Sequence, residues 1–187
     1  MNDEEKNGGF ISTTIYESVS ILVSSIFMIA LVFTFGFRLV GVDGTSMDNT
    51  LSDGDWLIVT PYYDEPEYGD IVISTKKTSA HGNLVKRVIA VAGDEVYIDE
   101  NGVVSVNGVE LDESSYTIPC YDRKGDLEYP IVVPEGCVML MGDNRPVSWD
   151  SRYSDIGFAE TDYLLGKAQI RLGKNANIYS NFYGQSE

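Results

Sequence analysis

Leu84-Val-Lys-Arg-Val-Ile-Ala-Val-Ala92 is the stretch on which the fold turns. Apart from two adjacent basic residues it is wholly apolar, rich in β-branched side chains, and followed by Gly93-Asp94, so it reads as a buried β-strand. Alternation puts Lys86 on the face of Leu84 and Val88, and Arg87 on the face of Val85 and Ile89. One of the two is expected to point to solvent; the other must then lean toward the core or snorkel. A lysine forced into apolar surroundings loses proton affinity, because burial disfavours the charged form. To be half neutral at pH 7 its pKa must fall by about 3.4, a differential solvation of roughly 4.6 kcal/mol. A neutral amine of that kind can act as general base for a serine.

Working outward, the neighbouring segments carry the same signature. Asp55-Trp-Leu-Ile-Val-Thr60 and Asp70-Ile-Val-Ile-Ser-Thr75 read as strands. Glu95 to Leu111 reads as a meander, in which Val96-Tyr-Ile-Asp and Val103-Val-Ser-Val flank Asn101-Gly102, and Asn107-Gly108 follows. Both Asn-Gly pairs favour tight hairpin turns because they tolerate positive φ. Residues 112–130 are polar and Tyr-rich, and read as loop or short strands. Cys137-Val-Met-Leu-Met141 is another buried strand and Lys167-Ala-Gln-Ile-Arg-Leu172 a last one. This part of the chain is therefore mainly β, with sheets that curl or pack face to face.

Ahead of the strands, Val19 to Phe37 (VSILVSSIFMIALVFTFGF) holds no charge. As a helix it would be roughly 28 Å long, about the thickness of a hydrocarbon core. Tyr16 stands at its entrance, and Phe35, Phe37 and Arg38 close the far end, as near a membrane interface. Neither a buried core helix nor a helix lying flat on the membrane fits so uniform a run. A cleaved leader fits poorly, since Met1–Lys6 is net acidic and the apolar run exceeds the usual ~7–15 residues. The reading is a single transmembrane helix over 16–38 after a tail of 1–15. Lys6 on one side and Arg38 on the other leave orientation open.

The whole chain has 187 residues, 29 acidic against 13 basic, a formal charge of -16 and a pI near 4.2. At 43% hydrophobic and 22% charged it is no disordered chain. So acidic a protein is unsuited to nucleic acid and to anionic lipid surfaces, which recruit clustered Lys and Arg. Membrane association must come from apolar burial. Cys120 and Cys137 form either one disulfide or two buried thiols. Ligand clusters and phosphate-cradling loops are missing from the sequence, so no metal or organic cofactor is implied.

Two loops add chemistry. In Gly44-Thr-Ser-Met-Asp-Asn-Thr-Leu51, a Ser in a turn beside Gly can expose its hydroxyl and leave backbone N–H groups free for an oxyanion. Gly142-Asp-Asn-Arg-Pro-Val-Ser-Trp-Asp-Ser-Arg152 is either a solvated loop with internal salt bridges or a set of groups that orients catalytic residues. Ser74-Thr-Lys-Lys77 fits a Ser-x-x-Lys pattern, but at a strand end and with no Lys-Thr-Gly partner. His81, the only histidine, reads as an exposed loop residue rather than a triad member.

Taken together, Ser46-Met-Asp-Asn-Thr-Leu51, Tyr68-Gly-Asp-Ile-Val72, Lys86 to Asp94 and Gly142 to Arg152 resemble, in order, the bacterial type I signal peptidases, which are membrane-bound Ser/Lys proteases. The resemblance runs from the anchor to about Leu172 and follows the Gram-positive-like branch. It implies Ser46 as nucleophile and Lys86 as general base. Ser148 would position the lysine amine, with Asp150, Arg152 and Asp143 supporting. The Ser46 amide would be one oxyanion donor. Gly44 stands where the family often has a hydroxyl, so a second donor must be backbone or water. Met47, beside the nucleophile, is expected to line a substrate pocket. Asn49 replaces the family's usual Pro and is expected to loosen the turn.

The same resemblance implies an antiparallel β catalytic domain, 39–95 and 136–172, interrupted by a small β insertion, 96–135, and followed by a polar tail, 173–187. The tail 1–15 would be cytoplasmic and the β-domain extracellular, on the plasma membrane. About eight residues between Phe37 and Ser46, at most ~29 Å when extended, would hold the nucleophile near the bilayer. The implied partners are the lipid bilayer and secreted preproteins, bound as extended strands and cut after small-x-small (Ala-x-Ala-like) sites. The protein is expected to be monomeric or weakly associating, without cofactor or nucleic acid. A membrane-tethered β module that binds peptides without cutting them is the alternative, against which the presence of both Ser46 and Lys86 argues. Self-cleaving repressors share the Ser/Lys chemistry but are soluble and bind DNA.

Overall fold

The structure is a computed structural model that describes residues 3–61, 65–75, 83–120, 124–173 and 178–179. Lys77 of the Ser-x-x-Lys pattern, His81 and most of the 173–187 tail lie outside these residues. The chain divides into two compact units, one ending at Arg38 and one beginning at Leu39.

The first unit is helix α1, Asp3–Phe35. Its segment Thr14–Thr34 has a mean hydropathy of 2.0 and is long and apolar enough to cross a membrane. Its large apolar side chains, among them Leu22, Phe27 and Phe33, are exposed. The helix begins earlier than the uncharged run and stops before that run ends. Gly36 N–H closes the last turn on the Val32 carbonyl at 2.8 Å. A Cβ at Gly36 would meet that same oxygen, so glycine allows the chain to turn out here. Phe37 lies beyond the helix.

The second unit is mainly antiparallel β. Its strands are β1 (Arg38–Gly41), β2 (Trp56–Thr60), β3 (Ile71–Ser74), β4 (Leu84–Val91), β5 (Glu95–Ile98), β6 (Val104–Val106), β7 (Val109–Glu110), β8 (Ile131–Val132), β9 (Cys137–Met141), β10 (Ala159–Glu160), β11 (Leu164–Leu172) and β12 (Ile178–Tyr179). The larger sheet runs β1-β2-β11-β3-β4-β9-β10, with β12 on β11; the smaller runs β7-β6-β5-β8. Val96, Ile98, Val104 and Val133 from the smaller sheet region pack on Ile89, Met139 and Met141 of the larger. The two-residue strands β7, β8, β10 and β12 carry too few residues to show an alternation in the sequence.

The Asn107-Gly108 turn has positive φ at both residues, 52° and 77°, the mirror-image geometry that suits a hairpin. Asn101-Gly102 does not. The Asp99 carboxylate there captures the Asn101 and Val103 amides, each at 2.8 Å, and makes a longer loop.

β3 and β4 lie inside the larger sheet, and both faces are covered. In register, Lys86 pairs with Val72 and Arg87 with Ile71. The Lys86 face holds Val72, Val88 and Leu140. Alternation separates the two basic residues as expected, but neither reaches solvent: Lys86 is 3% exposed and Arg87 0%. The expectation of one solvated basic residue fails because loops, not strands, cover the second face.

Candidate active site

The turn after β1 presents Ser46. Gly44 has φ +90° and its N–H is taken by the Asp53 carboxylate at 3.0 Å, so this amide is committed to the loop and is no spare oxyanion donor. The Met47 carbonyl accepts the Thr50 and Leu51 amides at 3.0 and 2.8 Å. Met47 and Leu51 insert into the core, while Ser46, just before Met47, stays half-buried at the surface. At 1% exposure Met47 presents no surface to a peptide, which corrects its expected place as a pocket-lining residue.

Lys86 reaches across from β4, and its Nζ donates to Ser46 Oγ at 2.5 Å. Burial pushes the Lys86 amine down to about 8; the carboxylates of Asp150 and Asp143 oppose the fall and Arg152 assists it. The amine is thus easier to neutralise than an ordinary lysine, without reaching 7. The two carboxylates hold its proton against the cost of burial.

The loop Gly142–Arg152 folds back over the Lys86 face. Asp150 accepts the Gly142 amide at 3.0 Å and Arg152 Nε and an amino group at 2.8 and 2.9 Å. Burial works to raise the Asp150 carboxyl, but the Arg152 bonds and charge hold it below the usual range. Arg152 in turn donates to the carbonyls of Arg145 and Ser148, which fixes the loop's path. The Ser148 hydroxyl is wholly buried beside Asp150, on whose acidity it acts. It makes no bond of full hydrogen-bond geometry, and none to the Lys86 amine. It stands instead over Gly142, where a Cβ would collide with the Ser148 hydroxyl and the Ser46 carbonyl.

On the opposite face of β4, Arg87 grips Asp143 with two parallel bonds of 2.8 Å and donates to the Gly69 carbonyl at 2.9 Å. The second Asp143 oxygen also accepts Thr50 Oγ1 at 2.5 Å, and the Asn144 amide bonds the Ser46 carbonyl at 3.1 Å. The turn that carries Ser46 is therefore tied directly to the Gly142–Arg152 loop. Among the described residues no group of three His, Cys, Asp or Glu side chains is placed to hold a metal.

Residues 15–172 match the family model described as signal peptidase, peptidase S26. The chain belongs to the signal peptidase family. Among its relatives, a probable signal peptidase I-2 of Synechocystis is 33% identical over 80% of this chain and 69% of its own. Signal peptidases I of Bacillus caldolyticus and Bacillus licheniformis are 35% and 32% identical, over 73% and 84% of this chain and 80% and 88% of theirs. A solved signal peptidase I from Enterococcus faecalis is 28% identical, with a TM-score of 0.43, over 56% of this chain and 97% of that one. The family assignment rests on the sequence matches.

In this signal peptidase, Asn49 is not a loosening substitution. It takes φ +88°, which the fixed φ of proline cannot reach, and its Nδ2 donates to the Tyr116 carbonyl at 3.2 Å. Cys120 and Cys137 are two half-buried thiols, not joined in a disulfide. Sequence reasoning missed Thr50, Tyr116 and Glu113 as site residues. Thr50 stood in the quoted motif, and Arg87 was visible as a charge in an apolar strand. Tyr116 and Glu113 sit in a polar stretch that carries no local signal.

Proposed function

We propose that this membrane-anchored peptidase removes signal peptides from secreted preproteins with Ser46 and Lys86 as its working pair, cutting after small-x-small sites. The observation that carries the reading is the 2.5 Å contact between Lys86 Nζ and Ser46 Oγ. With the amine neutral, that contact reverses: the hydroxyl donates to the nitrogen lone pair. Oγ then attacks the scissile carbonyl carbon while Nζ takes its proton. The Ser46 N–H, with no acceptor among the described residues, is available to the resulting oxyanion. Protonated Lys86 returns the proton to the leaving amine as the C–N bond breaks. The same amine then takes a proton from the water that attacks the acyl ester, and Oγ recovers its hydrogen when that ester collapses.

The β-domain lies on the extracellular side in this reading, with the helix in the plasma membrane and the N-terminus in the cytoplasm. Substrate binds extended beside the sheet. The test uses the full chain in lipid or detergent with a preprotein bearing an Ala-x-Ala site. Wild type is expected to cut it, and Ser46→Ala and Lys86→Ala are expected not to. Cleavage that persists in either variant, or its absence in wild type, overturns the reading.

A further inference from the structure

The segment Glu113–Ile118 belongs by sequence to the stretch that holds the smaller sheet, yet its contacts are with the machinery of the larger one. The Tyr116 ring covers the Arg87 guanidinium at 4.1 Å. The Tyr116 carbonyl accepts Asn49 Nδ2, and its hydroxyl meets Tyr68 Oη at 3.0 Å and Glu113 at 3.1 Å. Glu113 pairs with Arg145 through two bonds of 2.8 and 2.5 Å, and Arg145 Nε holds the Gly142 carbonyl at 3.0 Å. The Ile118 amide donates to the Asp143 carbonyl at 2.8 Å. Tyr116 itself is 1% exposed.

We infer that Glu113–Ile118 is a strap that positions the nucleophile, and that Tyr116 is a positioning residue acting through Arg87 and Asn49. The route is continuous. Tyr116 stacks on the Arg87 guanidinium while Asp143, Thr50 and the Gly69 carbonyl accept its N–H groups, so its orientation is restrained from both face and edge. Arg87 then fixes Asp143, and Asp143 fixes Thr50, four residues beyond Ser46. Asn49 ties the same turn to the strap from its outer side. The smaller sheet thereby acquires a task in the reaction: it carries the support of the nucleophile turn. The inference rests on the peptidase reading for its catalytic consequence, but the tie itself can be measured without catalysis.

In the full chain, Tyr116→Leu should lower kcat about ten- to a hundred-fold with KM within about three-fold, since a misplacement near 1 Å costs about that much. Tyr116→Phe, which keeps ring and carbonyl, should stay within about three-fold of wild type, the tolerance taken from the same positional argument. A purely structural role would lower the melting temperature of both variants and leave kcat alone. Asn49→Gly is compatible with φ +88° and removes only the side-chain tie, so it carries the test if Tyr116→Leu does not fold. It should lower kcat about ten-fold and speed amide hydrogen exchange at Thr50, Leu51 and Ile118 together. Wild-type kcat in Tyr116→Leu, or unchanged exchange in Asn49→Gly, overturns the strap. If wild type cuts no preprotein, the peptidase reading falls while exchange still decides the strap.

Discussion

Lys86 and Arg87 are consecutive in β4, both buried, and face opposite ways. One donates to Ser46 Oγ and the other clamps Asp143. Two adjacent backbone positions thus set the distance between an amine and a hydroxyl on one side and lock the loop that carries the hydroxyl on the other. Because a strand cannot rotate one residue without its neighbour, the Arg87 clamp also restrains the register of Lys86.

The first consequence is a pH profile. In the proposed mechanism Lys86 takes the Ser46 proton only when neutral, and burial lowers its amine to about 8. Cleavage measured as kcat/KM should rise about ten-fold per pH unit below that value and level off above it, so that pH 6 retains about a hundredth of the plateau. A profile flat from pH 5 to 9 would contradict the assignment.

The same burial makes Lys86 a burden on the fold. Its native pKa lies below its unfolded value of 10.5, so the unfolded chain binds the proton more readily. The penalty is fully present below about pH 8 and fades as pH rises toward 10.5. Lys86→Met should therefore abolish cleavage yet stabilise the β-domain at pH 7 by up to about 3 kcal/mol, measured by urea unfolding. A destabilised variant would show that the contacts with Ser46, Asp150 and Asp143 outweigh desolvation.

Gly142→Ala tests the closeness of the two loops. Its Cβ would strike the Ser46 backbone carbonyl and both Oγ and Cβ of the buried Ser148, so a hydroxyl rotation alone cannot relieve the clash. The Ser46 turn must shift, and kcat should fall by about a hundred-fold. Activity near wild type would mean that the turn yields without moving Oγ.

Asp143→Asn removes one charge of a buried pair and leaves Arg87 uncompensated. The expected cost is about 3–5 kcal/mol, read from the denaturation midpoint, and far above that of an exposed ion pair such as Lys124–Glu100.

Asn49→Pro installs the residue usual in the family and should do harm here. Proline cannot adopt φ +88° and would also lose the bond to the Tyr116 carbonyl. A stability loss above about 1 kcal/mol is expected, with Asn49→Gly close to neutral in stability. A stabilised proline variant would show that the turn has a second, proline-compatible form.

What the sequence determined by itself is local. An uncharged run long enough to span a bilayer satisfies its backbone only as a helix, and runs of Val and Ile bounded by Asp or Gly favour strands, whose side chains alternate with period two. That period also separated Lys86 from Arg87. The tertiary structure decided which charges are buried, because burial depends on what arrives from elsewhere in the chain. Thr50 and Asp143 meet across 93 positions, Arg87 and Asp143 across 56, and β11 enters between β2 and β3. The covering loops, 142–152 and 113–118, are polar in composition and carry no apolar pattern that would mark them as buried. They can cover β4 because their polar groups are satisfied against one another, Asp150 by Arg152 and Glu113 by Arg145. Such reciprocal satisfaction belongs to pairs of residues in space and leaves no period in the sequence.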